Sequence, residues 1–214
     1  MNGICKICGS ETREFYDKQF DTKFYHCPNC EFISKDENSI ISEEDELKIY
    51  RYHNNSIEDK HYVDYFKRFL DSAVMKHVGC GKKGLDFGSG PSPVLSMILK
   101  RDYGYEMDIY DMFFSPEKTY IDRKYDLITC TEVIEHLKNP MEYFLLFKEL
   151  LEDDGTLGIM TLFHVNSDDE FFNWHYRRDR SHISFFTAKT MKVIGEKIGL
   201  ELVFTDNKRY SVFR

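Results

Sequence analysis

From residue 84 to residue 213 the chain alternates short apolar runs of strand length with longer amphipathic runs of helix length, and this alternation constrains its fold most. The spacing predicts strands over 84–87, 105–110, 125–130, 156–163, 201–204 and 210–213. Helices are expected over 91–100, 140–151 and 188–198, the last with Thr187 as its N-cap. Parallel neighbours need long crossovers, usually helical, and a parallel sheet is buried on both faces. The expected class is therefore α/β, a doubly wound and mostly parallel sheet between helical layers.

Two features precede that region. Cys5-x2-Cys8 and Cys27-x2-Cys30 are separated by 18 residues, a hairpin-sized loop that lets four thiolates surround one tetrahedral centre. Such a set suits structural zinc, and Gly9 and Pro28-Asn29 provide the turns a metal knuckle needs. A closed four-cysteine site has no open position for substrate, so the ribbon is expected to be structural. The stretch 36–46 then carries six acids and no base and reads as a solvated linker. From Ser56, with Asp59 as the matching half of a capping box, Tyr62, Phe66, Phe69, Leu70, Ala73 and Val74 recur at helical spacing. Gly79-Cys80-Gly81 is expected to end that helix. The chain thus divides into a ribbon (1–35), a linker with a helical lid (36–78) and the α/β domain (79–214).

The strand over 84–87 runs into Asp86-Phe87-Gly88-Ser89-Gly90, followed at once by Pro91. Glycines there permit unusual torsions and let a ligand approach the backbone at the carboxyl end of the strand. The third glycine of a dinucleotide fingerprint is absent, Pro93 standing in its place. About 20 residues beyond such a turn an acid at the next strand tip binds ribose hydroxyls. Asp111 fits that position, with Asp108 as the second candidate.

Together, Leu85 to Gly90, Asp111 and the block Tyr125-Asp126-Leu127-Ile128-Thr129-Cys130-Thr131-Glu132-Val133-Ile134-Glu135-His136-Leu137 resemble the motifs of class I S-adenosylmethionine-dependent methyltransferases. Gly155 to Met160 resembles the glycine turn and fifth strand of that family. The resemblance implies a Rossmann-like sheet with S-adenosylmethionine as cofactor. It further implies that Gly88, Ser89 and Gly90 shape the methionine pocket, that Asp86 organises the turn, and that Asp111 and Met112 lie beside the ribose. Thr131, Glu132 and Val133 would form the pocket floor, with His136 either beside the cofactor or packed on a neighbouring strand. Residues 112–124 are too few for a full strand-and-helix unit, so the sheet edge should be reduced, with at best a short strand near 118–121.

Acceptor contacts are sought in two polar clusters, Arg51 to Asn55 and Asn173 to His182. His53, His175 and Tyr176 are the candidates for catalysis or substrate contact. His182 is expected to hydrogen-bond the backbone and fix its loop, while Arg177, Arg178 and Arg180 either clamp an anion or form a solvated face. A formal net charge of -8 disfavours a large nucleic-acid footprint, so the expected acceptor is a small molecule, modified at O or N. A ribbon that recognises RNA, or a binding module with a vestigial pocket, are the alternatives. No run is long and apolar enough to span a bilayer and no signal peptide is visible, so a cytoplasmic location is expected.

Overall fold

The computed structural model describes residues 3–51 and 56–214, and the expected site residue His53 lies outside them. The N-terminal part forms a meander of β1 (Arg13–Asp17), β2 (Thr22–His26) and β3 (Ile33–Lys35). The acidic segment is not a bare linker: Ser42 caps α1 (Glu43–Tyr50), accepting from the Asp45 amide, and four acids in its first turn favour the positive end of the helix dipole. Asp59, whose carboxylate accepts from the His61 and Tyr62 amides, caps α2 (Lys60–Ser72). This helix stops short of the glycines at 79–81. Ala73 and Val74 are wholly buried, and the Thr156 hydroxyl donates to the His77 carbonyl, so packing on the sheet turns the chain earlier.

The region from residue 83 onward contains β4 (Lys83–Phe87), α3 (Val94–Tyr103), β5 (Glu106–Tyr110), β6 (Tyr125–Thr131), α4 (Pro140–Leu150) and β7 (Leu151–Met160). It continues through α5 (Asp168–Asn173), β8 (Ser184–Phe185), α6 (Ala188–Ile198), β9 (Leu202–Thr205) and β10 (Tyr210–Phe213). Helix α3 begins at Val94 rather than Pro91, because Pro93 disfavours helical torsions at Ser92. Thr187 caps α6 as the sequence indicates, within a reciprocal capping box with Thr190. Strand β7 ends at Met160, and Thr161 and Phe163 instead donate to the carbonyls of Arg209 and Lys208.

Six strands form one sheet in the order β5-β4-β6-β7-β10-β9. The β4–β5, β4–β6 and β6–β7 pairs are parallel, while β10 is antiparallel to both neighbours. Alternate residues feed two cores. Met107, Leu127, Met160 and Val212 face α2 and α3, whereas Leu85, Ile128, Leu157, Ile159 and Phe213 face α4 and α6. β5 is one edge of the sheet, and among the described residues no strand lies between Asp111 and Tyr125, including at 118–121. An Asp111–Ser115 bridge turns the chain, and Tyr120 packs on Tyr110 and Phe87 in place of a further strand.

A second sheet joins the cysteine-bearing meander to the distal chain, in the order β1-β2-β3-β8. Ile33 and Ser34 pair with Phe185 and Ser184, and the Lys35 amide donates to the Ile183 carbonyl at 2.8 Å. The Arg177 guanidinium forms a buried ion pair with Asp17, donates to Gln19 and also reaches the Phe172 carbonyl. This arginine is therefore neither an anion clamp nor part of a solvated face. Removing one partner of a buried pair leaves the other charge uncompensated. Asp17→Ala is expected to destabilise the chain by roughly 3–5 kcal/mol, measured by urea denaturation.

Candidate active site and metal centre

The carboxyl ends of β4, β5 and β6 open into a cavity of about 620 Å³, within the range of pockets that hold cofactor-sized ligands. Asp86, Gly88, Ser89, Gly90, Asp111, Met112, Thr131, Glu132, Val133 and His136 all line it. The turn after β4 is built by local necessity. Gly88 has φ +82°, and a Cβ there would lie 2.1 Å from Val133 Cγ2. Gly90 has φ +67° with open space where a Cβ would project, so its backbone is accessible from the cavity. The Gly88 and Ser89 amides donate to the Tyr110 carbonyl at 2.7 and 3.1 Å, tying the turn to the neighbouring strand.

Asp111 holds the next corner. Its carboxylate accepts from the amides of Gly90, Phe113 and Phe114 at 2.9–3.0 Å. Asp108 is engaged elsewhere, accepting from Arg123 and from the Tyr125 hydroxyl, and does not line the cavity. Asp86 is buried, and desolvation raises its carboxyl to about 7 despite a hydrogen bond from Thr129. The buried Ser89 hydroxyl has no hydrogen-bond partner. An orphaned hydroxyl, an open glycine backbone and strand-tip carboxylates fit a polar nucleoside with an amino-acid tail, which is the chemistry of S-adenosylmethionine.

At the tip of β6, Glu132 has φ +52°, and its amide donates to the Met160 carbonyl. Its carboxylate accepts from the Tyr65 hydroxyl and the Tyr176 hydroxyl, each at 2.8 Å. The Tyr176 oxygen also meets Glu135, a fully buried carboxyl that desolvation first, and Glu132 second, raises well above the usual carboxylate range; with its single proton given to Glu132, the hydroxyl accepts from protonated Glu135. Neither Tyr176 nor His175 lines the cavity. Tyr176 holds the wall from behind, and His175 is exposed in a separate surface depression with Trp174 and Arg178. The opposite wall comes from residues the sequence reading did not single out as contacts, although Asp179 and His182 fall in the polar cluster 173–182 where acceptor contacts were sought and Tyr62 in the helix expected to cover the domain. Glu46 and Tyr50 of α1, Tyr62 and Tyr65 of α2, and Asp179 and His182 beyond α5 all contribute. A carboxylate and a histidine three residues apart, downstream of the fifth strand, are the one signal that would have found the last pair.

The four cysteines converge. Cys5 and Cys30 sulfurs lie 3.5 Å apart and Cys8 and Cys27 sulfurs 3.4 Å apart, and all four ligand atoms fall within 4.8 Å of one another. A zinc with bonds of about 2.3 Å spaces its four sulfurs by about 3.8 Å, so this set fits with little adjustment. The Ile7 and Cys30 amides point at the sulfurs of Cys5 and Cys27, and Gly9 and Glu31 turn the two knuckles with φ +78° and +65°. The facing sulfurs share a proton: the hydrogen bond from Cys30 lowers the Cys5 thiol, while the same contact and burial raise Cys30.

The raised carboxyl of Asp86 makes stability depend on pH. Folded Asp86 keeps its proton up to about 7, whereas an unfolded aspartate loses it near 3.9. Its contribution is therefore complete below about pH 4 and is lost as pH rises through about 7. Asp86→Asn should flatten the decline in unfolding free energy between these limits, and Glu135→Gln should remove part of what remains.

A methyltransferase domain family matches residues 58–204. A stretch of 39 residues is 49% identical to the ubiquinone biosynthesis O-methyltransferase of Glaesserella parasuis serovar 5 (strain SH0165). That stretch is 18% of this chain and 16% of that protein, so the match spans about a sixth of the curated relative. Among solved structures, LaPhzM superimposes with a TM-score of 0.50 at 14% identity, over 71% of this chain and 55% of that one. An O-methyltransferase family protein from Burkholderia thailandensis gives 0.48 at 11% identity, over 79% and 62%. The family match runs from the residues before α2 to the strand at the far sheet edge, more than half of the chain, and the chain belongs to this methyltransferase domain family.

Proposed function

We propose that the protein is an S-adenosylmethionine-dependent methyltransferase that methylates an oxygen or nitrogen of a small molecule. The observation that carries this reading is that the ten residues from Asp86 to His136 named by the sequence motifs line a single cavity. When bound, S-adenosylmethionine supplies a methyl group on a positively charged sulfur. Gly88, Ser89 and Gly90 would hold its methionine end, the Ser89 hydroxyl gaining the partner it lacks, and Asp111 would take the ribose hydroxyls. Thr131, Glu132 and Val133 would form the floor. In-line transfer asks chiefly for alignment and exclusion of water. Helices α1 and α2 serve that purpose here, bringing Tyr50, Tyr62 and Tyr65 over the cavity.

A small acceptor is favoured by charge. Glu43, Glu46, Glu132 and Asp179 line the cavity, and Lys138, the single Lys or Arg among its described lining residues, pairs with Glu37 at 2.7 Å. A polyanionic chain would be repelled. We read residues 1–35 as a structural zinc ribbon held by Cys5, Cys8, Cys27 and Cys30, residues 36–78 as the segment closing over the cavity, and 79–214 as the cofactor-binding domain.

Calorimetry with S-adenosylmethionine is expected to show one site per chain, and Asp111→Ala should weaken it at least about tenfold, about 1.4 kcal/mol. No binding by the unmodified protein would sink the cofactor assignment. Labelled S-adenosylmethionine offered to a small-molecule cell extract should leave label on a low-mass acceptor. Elemental analysis of protein purified without chelator should give about one zinc per chain, with Cys27→Ser lowering both zinc content and melting temperature.

A further inference from the structure

The segment between α5 and β8 sends two side chains into the cavity, Asp179 and His182. The Nδ1–H of His182 donates to the Tyr176 carbonyl at 2.7 Å. A carbonyl can only accept, so this bond fixes the tautomer and leaves Nε2 as the basic nitrogen. The Asp179 carboxylate lies 3.9 Å from Nε2 and is itself held by the amide and hydroxyl of Ser181, at 2.9 and 2.5 Å. The ring is confined by Tyr176 and His136, with centroids 4.1 and 4.8 Å away. Burial lowers the basicity of His182 against the opposing pull of Asp179, so the imidazole is neutral near pH 7.

Resting on the methyltransferase reading above, we propose that His182 is the general base for methyl transfer, that Asp179 positions and compensates it, and that the acceptor is a hydroxyl compound. As the acceptor oxygen bonds to the methyl carbon, the carbon–sulfur bond breaks and its electron pair stays on sulfur. The hydroxyl proton moves to Nε2 of His182. The product is a methyl ether, and the imidazolium faces Asp179 until it releases the proton to water. A hydroxyl acceptor needs such a base because it is a weak nucleophile while protonated. His136 is the competing base: its Nδ1 lies 3.2 Å from the Ser181 carbonyl and 3.7 Å from Glu46. The Asp179 carboxylate, which lies on the Nε2 side of His182, favours His182.

The discriminating variant is His182→Asn. Its amide can still donate to the Tyr176 carbonyl from the position of Nδ1, but nothing stands where Nε2 was. His182→Asn should keep the unfolding midpoint and bind S-adenosylmethionine within about twofold of the unmodified protein, while transfer to the acceptor fraction of the extract falls about 10²- to 10⁴-fold. His182→Ala should regain part of its rate in added imidazole, which a loop anchor would not. Long-range 15N spectra of the protein without cofactor should show His182 as the Nδ1–H tautomer. Transfer at an unchanged rate by His182→Asn, or a comparable loss in His136→Asn with His182→Asn active, overturns the assignment. So does methylation at nitrogen. Should the unmodified protein bind S-adenosylmethionine yet label nothing, the methyltransferase reading itself falls, and this proposal with it.

Discussion

The structure depends on a seam, the antiparallel pairing of Ile33 and Ser34 with Phe185 and Ser184, which makes the cysteine-bearing meander and the chain beyond β7 one sheet. Everything near it is tied to that seam. Thr190 donates to the Cys30 carbonyl, Thr187 to the Glu31 carboxylate, and Lys35 to the Arg180 carbonyl. His164 meets the Glu31 carbonyl at 2.8 Å, and the Arg177–Asp17 pair closes the far end. Cys5, Cys27 and Cys30 belong to the same apolar core as Leu85 and Ile159. The meander is thus a buttress that fixes the segment carrying Asp179 and His182. A segment of irregular backbone gains little order by itself, and this one is ordered by partners far away in sequence.

The cavity floor rests on a second constraint. Glu132 adopts a left-handed backbone, which costs a non-glycine residue energy that its surroundings must supply. Two tyrosine hydroxyls from opposite sides, Tyr65 on α2 and Tyr176 beyond α5, hold its carboxylate in place. Glu135, three residues on, is held by the same Tyr176 hydroxyl. Tyr176 therefore sets the geometry of the wall although it does not face the cavity. Through one hydroxyl, Tyr176 joins Glu132 and Glu135 at the cavity floor to the segment beyond α5.

What could be read from sequence follows from which signals are local. The turn at Gly88 and Gly90, the acid at Asp111 and the block around Glu132 are written in torsions and strand tips, each within a few residues. The N-cap at Thr187 and the missing strand after Asp111 are local in the same sense. The acceptor wall is not. Glu46 sits in a segment whose acids mask Ile40 and Ile41, both of which line the cavity. His182 was legible as a residue that bonds its own loop, and it does so, yet only the seam turns its other nitrogen inward. Arg177 lies between a tyrosine and an exposed arginine, and nothing in that pattern marks it as buried against Asp17. Helix starts were misread where a neighbouring residue decides, as Pro93 does for Ser92.

The charge of the cavity fits the chemistry at both of its ends. A negative field around a sulfonium stabilises the reactant, and taken alone it would oppose a reaction that removes that charge. Transfer to a hydroxyl with a histidine base does not remove it. If His182 takes the proton as proposed, the positive charge would leave the sulfur and reappear on the imidazole, keeping the net charge within the walls constant while its centre moves toward Asp179. On the proposed reading the charge would start at the cofactor's sulfur and finish on His182, whose Nε2 lies 3.9 Å from the Asp179 carboxylate, and Glu46 lines the same cavity. Preorganised carboxylates at the receiving end favour the transition state, because they meet charge that is absent in the ground state. On that proposal the acidic wall of α1 and the segment beyond α5, which in a sequence reads as a solvated surface, would be a working part of the transfer.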